Sequence, residues 1–222
     1  MSGRGVLVTA SAAVVLVAGC GSTVSGTATW PGATLEKATL GPADFPPGVQ
    51  YDRIVEGLGQ PDNTGSPPSM RSRPEGCSNA LTNVIAGSAE RGPGSAAKYA
   101  ATYNGTRIVM TVLSWPLDLD KLEAAAGRCA QFETYFDTRS KGIPITTTEL
   151  PGLSDDALAY QQTMQLMGSA SSVYMAFQNV GRYGVFGIAF PTSDPSIAAK
   201  ASLPQTFLDV FAKQAVKIRN AI

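Results

Sequence analysis

A run of about 12 mostly apolar residues, Val6 to Val17, stands behind Arg4 and ends in Val17-Ala18-Gly19-Cys20. A helix that crosses a bilayer needs roughly 20 such residues, so this run is too short to span. A basic start, a short apolar middle and small residues before a cysteine form the pattern of a secretion signal. The reading takes residues 1–19 out of the fold. It also places the rest of the chain in an oxidising compartment, where cysteines pair.

The residues before Cys20 resemble a bacterial lipobox, the site at which prolipoproteins receive a diacylglycerol on the thiol and are then cut ahead of the cysteine. The resemblance makes Cys20 the lipidation site and the first mature residue. The protein is then expected on the cell membrane, lipid-anchored at the extracytoplasmic face, with the membrane as its partner through the anchor. The bland alternative is an ordinary signal peptide in which Cys20 is incidental.

The chain has three cysteines. With Cys20 assigned to lipid, Cys77 and Cys129 remain as a pair, and an exported protein favours a disulfide between them. Closing a loop of about 50 residues contributes roughly 4 kcal/mol in the chain-entropy model. A redox switch is the competing reading, although no Cys-x-x-Cys accompanies either residue.

The charge is balanced, with 17 basic and 17 acidic residues, so no nucleic-acid partner is expected. There is no histidine. That removes Ser-His-Asp hydrolysis, Cys-His proteolysis and His-dependent zinc sites, leaving carboxylates, Lys, Tyr or no chemistry. No cofactor and no metal site is expected.

Residues 20–37 are rich in Gly, Ser, Thr and Ala, lack a sustained hydrophobic period and read as a flexible tether. A single domain, 38–222, follows. Its fold class reads as α+β, a curved and mainly antiparallel sheet with helices packed on it. Pro42, ahead of Pro46-Pro47, suits one helical turn. Tyr51 to Leu58 reads as an edge strand, and Gly59 to Pro68 as a loop. A helix over Pro74 to Ala86 places Cys77, Leu81, Val84 and Ile85 on one stripe.

Asn104-Gly105 marks a hairpin between strands Ala97 to Tyr103 and Thr106 to Trp115, the second of them central. A helix from Asp118 to Cys129 carries Leu119, Leu122, Ala126 and Cys129 on its apolar side. Two helix faces, each bearing a thiol, are therefore predicted to meet. Ala130 to Phe136 and Pro144 to Leu150 alternate as strands, and Asp156 to Met167 follows as another. Ser172 to Asn179 and Arg182 to Phe190 then form a hairpin about Val180-Gly181. Gly184 and Gly187 leave room for a close neighbour, a covering helix or a bulge. Ser202-Leu203-Pro204-Gln205 reads as a capping box, and the terminal helix carries Phe207, Leu208, Phe211, Ala215 and Ile218 as its stripe.

This order of lipobox, tether, Pro-Ala-Asp-Phe-Pro-Pro-Gly turn, cysteine helices, strands and terminal helix resembles a group of small mycobacterial and actinobacterial envelope lipoproteins. It is also similar to the extracellular sensor domain of a mycobacterial receptor serine/threonine kinase, which implies helices on a curved antiparallel sheet around a cleft. That domain is associated with two disulfides, whereas this chain has residues for one. The resemblance carries over no functional residue.

Three sets of side chains suggest chemistry. Ser95 and Lys98 fit Ser-x-x-Lys, in which lysine deprotonates serine, but no Lys-Thr-Gly accompanies them. Asp155-Asp156 are adjacent carboxylates, which in a strand point to opposite faces. Met164, Met167, Met175, Phe177, Trp115 and Tyr174 either line an apolar pocket or pack the core. The expected function is a non-enzymatic ligand-binding, sensing or accessory module with an envelope ligand or protein partner. A carrier of a lipid or other apolar molecule is the first alternative, and a histidine-independent hydrolase using carboxylate or Ser/Lys chemistry the second.

Overall fold

The computed structural model describes residues 32–54, 70–89, 94–137, 139–166, 168–192, 197 and 203–221. Cys20 and the lipobox, the loop at 59–68, Met167 and the Ser202 cap lie outside the described residues.

The Asn104-Gly105 turn joins β3 (Ala96–Tyr103) to β4 (Thr106–Leu113), which follow α1 (Ala33–Ala38), β1 (Gln50–Ile54), β2 (Arg71–Arg73) and α2 (Ala80–Ala89). Asn104 at φ 50° and Gly105 at φ 76° both occupy the left-handed region, as a type I′ hairpin demands. Next come α3 (Leu119–Arg128), β5 (Gln131–Tyr135), β6 (Ile143–Glu149), β7 (Ala157–Leu166), β8 (Ser169–Val180), β9 (Tyr183–Pro191) and α4 (Leu203–Ala221). The second hairpin turns at Gly181-Arg182, one residue later than the sequence suggests. Val180 pairs with Tyr183, and Gly181 at φ 59° takes the first turn position.

Among the described residues, nine strands form one antiparallel sheet in the order β1-β3-β4-β9-β8-β7-β6-β5-β2. The fold is α+β, and β1 is an edge strand as expected. On one face, α4 crosses β4, β9 and β8. Phe207, Phe211, Ala215 and Ile218 bury there against Ile108, Met110, Val185 and Ala176. Gly187 is the contact point with the helix, since a Cβ there would stand 2.9 Å from the Phe207 ring. At Gly184 the close neighbour is chain and not helix, because a Cβ would lie 2.7 Å from the Trp115 carbonyl oxygen.

The same face corrects the tether boundary. Residues 33–38 are helical, and Leu35 and Ala38 are buried beneath α4. Six residues give too short a period to be read from sequence. Their order comes from a partner 174 positions away, the Gln214 side chain that accepts from the Leu40 N–H.

On the opposite face, α2 and α3 pack together over Leu113, Phe132, Tyr160, Met175 and Phe177. The predicted helix over Pro74 to Ala86 begins only at Ala80. Ser72 is the reason: its hydroxyl accepts from the N–H groups of Cys77 (2.8 Å) and Ser78 (3.2 Å) and donates to the Pro74 carbonyl, so the chain turns where a first helical turn would lie. Cys77 therefore precedes the helix, and Cys129 is the C-cap residue of α3. The thiols meet through the ends of two elements, with Cα atoms 5.4 Å apart in a formed disulfide. Asp118 caps α3 as expected by accepting from the Lys121 N–H. Phe136 departs from the β5 alternation because the strand stops at Tyr135, leaving Phe136 77% exposed.

Candidate functional site

The structure separates the candidate groups that adjacency in the sequence suggested. Ser95 lies just before β3, while Lys98 is within β3 opposite Ile54 and Thr111. Two residues separate them, and in an extended chain positions three apart point to opposite faces.

Asp155 and Asp156 stand ahead of β7. The Asp156 carboxylate accepts from the Gln178 amide at 3.0 Å, and bonds from Ser154 and Gln178 hold its pKa below the ordinary carboxylate range. A carboxylate so tied anchors the β7–β8 end of the sheet.

The apolar set divides between the two faces. Trp115, Met175 and Phe177 belong to the disulfide-side core, whereas Tyr174 belongs to the α4-side core. Period-two alternation along β8 makes this separation unavoidable. Beside its cross-strand partner Met175, burial pushes the pKa of the Tyr160 hydroxyl up to about 12, helped by Glu123 and Glu149.

An ionic group absent from the sequence reading forms where the Pro42–Asp44 turn meets α4. The Asp44 carboxylate accepts from the Gly41 N–H at 2.8 Å and pairs with Lys217 at 3.2 Å, while Lys213 donates to the Asp44 carbonyl. The Gly41 bond, and then Lys217, hold the Asp44 pKa below its usual value against the effect of burial. Beside it, Phe45 packs edge to face against Tyr99 and Tyr103 and tilted against Tyr51, and Tyr51 stacks on Tyr99. Their role is to seat the turn on the sheet.

A shallow, open depression also lies among the described residues. It encloses about 280 Å³ at the end of the sheet where β3 begins and β4 ends. Its walls are Gly32, Thr34 and the apolar Leu35 at the start of α1, Gly94 and Ser95 before β3, Ser114 after β4, and Arg182 and Tyr183 from the second hairpin. Arg182 donates to the Tyr183 hydroxyl at 3.0 Å, and its guanidinium carbon lies 5.1 Å from the Tyr183 ring centroid. Sequence reasoning singled out Ser95 for a different reason and missed Arg182. Only the turn connecting β8 to β9 brings that arginine beside residues some 70 to 150 positions earlier.

Among the described residues, no group of three Cys, Asp or Glu side chains is placed to hold a metal ion. No helix among them is long and apolar enough to cross a membrane.

No protein-family model and no curated protein matches the chain. Among solved structures, the chain is similar to an uncharacterised protein of Mycobacterium smegmatis, an Rv0999 ortholog, at 17% identity and a TM-score of 0.47. The similarity covers 80% of this chain and 92% of that one.

Proposed function

We propose that the protein is a lipid-anchored, extracytoplasmic lipoprotein acting as a non-enzymatic binding, sensing or accessory module of the cell envelope. The observation that carries this reading is the Cys77–Cys129 bridge. It accounts for two of the three cysteines and fits an oxidising compartment, leaving Cys20 in the lipobox for a different chemistry. The resemblance to small mycobacterial envelope lipoproteins and to a receptor-kinase sensor domain points the same way. A binding role is supported by what the ionisable groups do: Asp44 and Asp156 are each committed to holding one element against another.

Replacing Cys20 tests the anchor. Cys20→Ser should release the protein from the membrane fraction or leave an uncleaved precursor, since a lipid chain on one residue is the membrane signal invoked. Normal processing with unchanged membrane partitioning would defeat the proposal.

A further inference from the structure

From the depression beside Arg182 we infer a binding site for a phosphate ester, the first ligand class assigned to the binding module proposed above and resting on that reading. Four hydroxyl-bearing residues, Thr34, Ser95, Ser114 and Tyr183, line it together with Leu35 and a single guanidinium, and among the described residues no carboxylate does. Arg182 is the one charged side chain among its described lining residues. The lining residues come from four separate segments: the start of α1, the chain just before β3, the residue after β4, and the β8–β9 hairpin.

That arrangement selects among anions. A carboxylate offers two acceptor oxygens, both of which one arginine fork can engage, whereas a phosphoryl group presents three or more and keeps an oxygen for hydroxyl donors alone. Arg182 is held in place by its bond to Tyr183 and by the ring beneath it, so little freedom is lost on binding. The Tyr183 hydroxyl accepts from Arg182 and keeps its own proton to donate. Gly94, with φ 77°, brings backbone to the rim without a side chain. A volume of about 280 Å³ is small beside that of drug-sized ligand pockets, and it suits a headgroup-sized ester.

Position adds a source for such a group. Gly32 is on the rim, and Cys20 lies a dozen residues before it. An extended chain of that length reaches at most about 40 Å, so an anchored Cys20 keeps the depression within that distance of the bilayer. The phosphate ester is then either a lipid headgroup or a soluble envelope phosphate. The chemistry recognised is the same.

The test is chemical protection of Arg182 in the full-length protein. Phenylglyoxal modification is followed by peptide mass spectrometry in neutral detergent, with and without glycerol 3-phosphate, and in vesicles of phosphatidylcholine with and without phosphatidylglycerol. Slower modification of Arg182, with the rates at Arg107 and Arg219 unchanged, is the expected result. Protection by glycerol 3-phosphate in detergent assigns a soluble phosphate, and protection only in phosphatidylglycerol vesicles assigns the headgroup. Arg182→Gln, a turn substitution outside both cores, should weaken glycerol 3-phosphate or vesicle binding at least about tenfold. No protection in either setting, or equal binding by the variant, overturns the site. The detergent arm does not require lipidation, so a failure of Cys20 anchoring and a failure of this site give different results.

Discussion

Gln214, fully buried in the middle of α4, accepts from the Leu40 N–H at 3.0 Å, and its amide also donates to the Ala38 carbonyl at 2.7 Å. One side chain thus satisfies two backbone groups where α1 ends and the chain turns toward β1. Without it both groups stay buried and unpaired. Gln214→Leu should lower stability by about 3 kcal/mol, with Leu35 and Leu40 becoming more mobile. Urea unfolding gives the first quantity and hydrogen exchange at Leu40 the second. A loss under half a kilocalorie would show that water replaces the amide.

Asp44 supplies a pH signature at the same junction. Its pKa is lowered in the folded state by the Gly41 N–H and by Lys217. The stabilisation is therefore present above the unfolded carboxylate value of about 3.9 and is lost as pH falls through the lower folded value. Asp44→Asn keeps the shape and removes the charge, at a cost of about 1 kcal/mol at neutral pH for a partly exposed pair. Wild type and variant should converge in acid. A difference that stays constant from pH 7 to pH 2 would mean that the charge contributes nothing.

Elements governed by local chemistry were legible in the sequence. Asn104-Gly105 specifies its hairpin because both turn residues need positive φ, and Asp118 specifies the start of α3 because its carboxylate can cap Lys121. The misreadings occur where a distant partner decides. Residues 33–37 form a helix because Gln214 and α4 cover them, and Cys77 leaves the helix because the Ser72 hydroxyl captures its N–H. Three-residue β2, Arg71–Arg73, exists only by pairing with β5. The depression was illegible for the same reason. Its walls come from four separate segments, and only Ser95 attracted notice on local grounds.

The Cys77–Cys129 bridge links the turn before α2 to the end of α3, and both residues are 1% exposed. Reduction, or the double substitution Cys77→Ser and Cys129→Ser, should lower stability by up to roughly 4 kcal/mol. The sheet has its own core under α4, so the far-ultraviolet spectrum should keep its α+β form. Thiol titration of the native oxidised protein should find neither cysteine until it is unfolded and reduced. Rapid labelling of either residue in the native state would show that the bridge is absent.

Gly184 and Gly187 are three residues apart on β9, but they meet different obstacles. At Gly187 an added Cβ would lie 2.9 Å from the Phe207 ring and 3.1 Å from the Met110 sulfur and methyl. Methionine is flexible and the ring edge can shift, so the strain is relieved by small side-chain movements. At Gly184 the obstacle is the Trp115 carbonyl oxygen at 2.7 Å, with the Leu117 nitrogen at 3.2 Å. That backbone is itself fixed, because the Asn179 side chain accepts from the Leu117 N–H at 2.7 Å and donates to the Leu117 carbonyl at 3.0 Å. Alanine at 184 must therefore displace a clamped segment, whereas alanine at 187 need only tilt side chains. Gly184→Ala should cost about 3 kcal/mol and Gly187→Ala about 1 kcal/mol. Asn179→Ala should loosen the segment, making the Gly184→Ala penalty smaller in the double variant than in the single one. Equal penalties at the two glycines, or strict additivity with Asn179→Ala, would mean that the 114–117 segment yields as easily as a side chain.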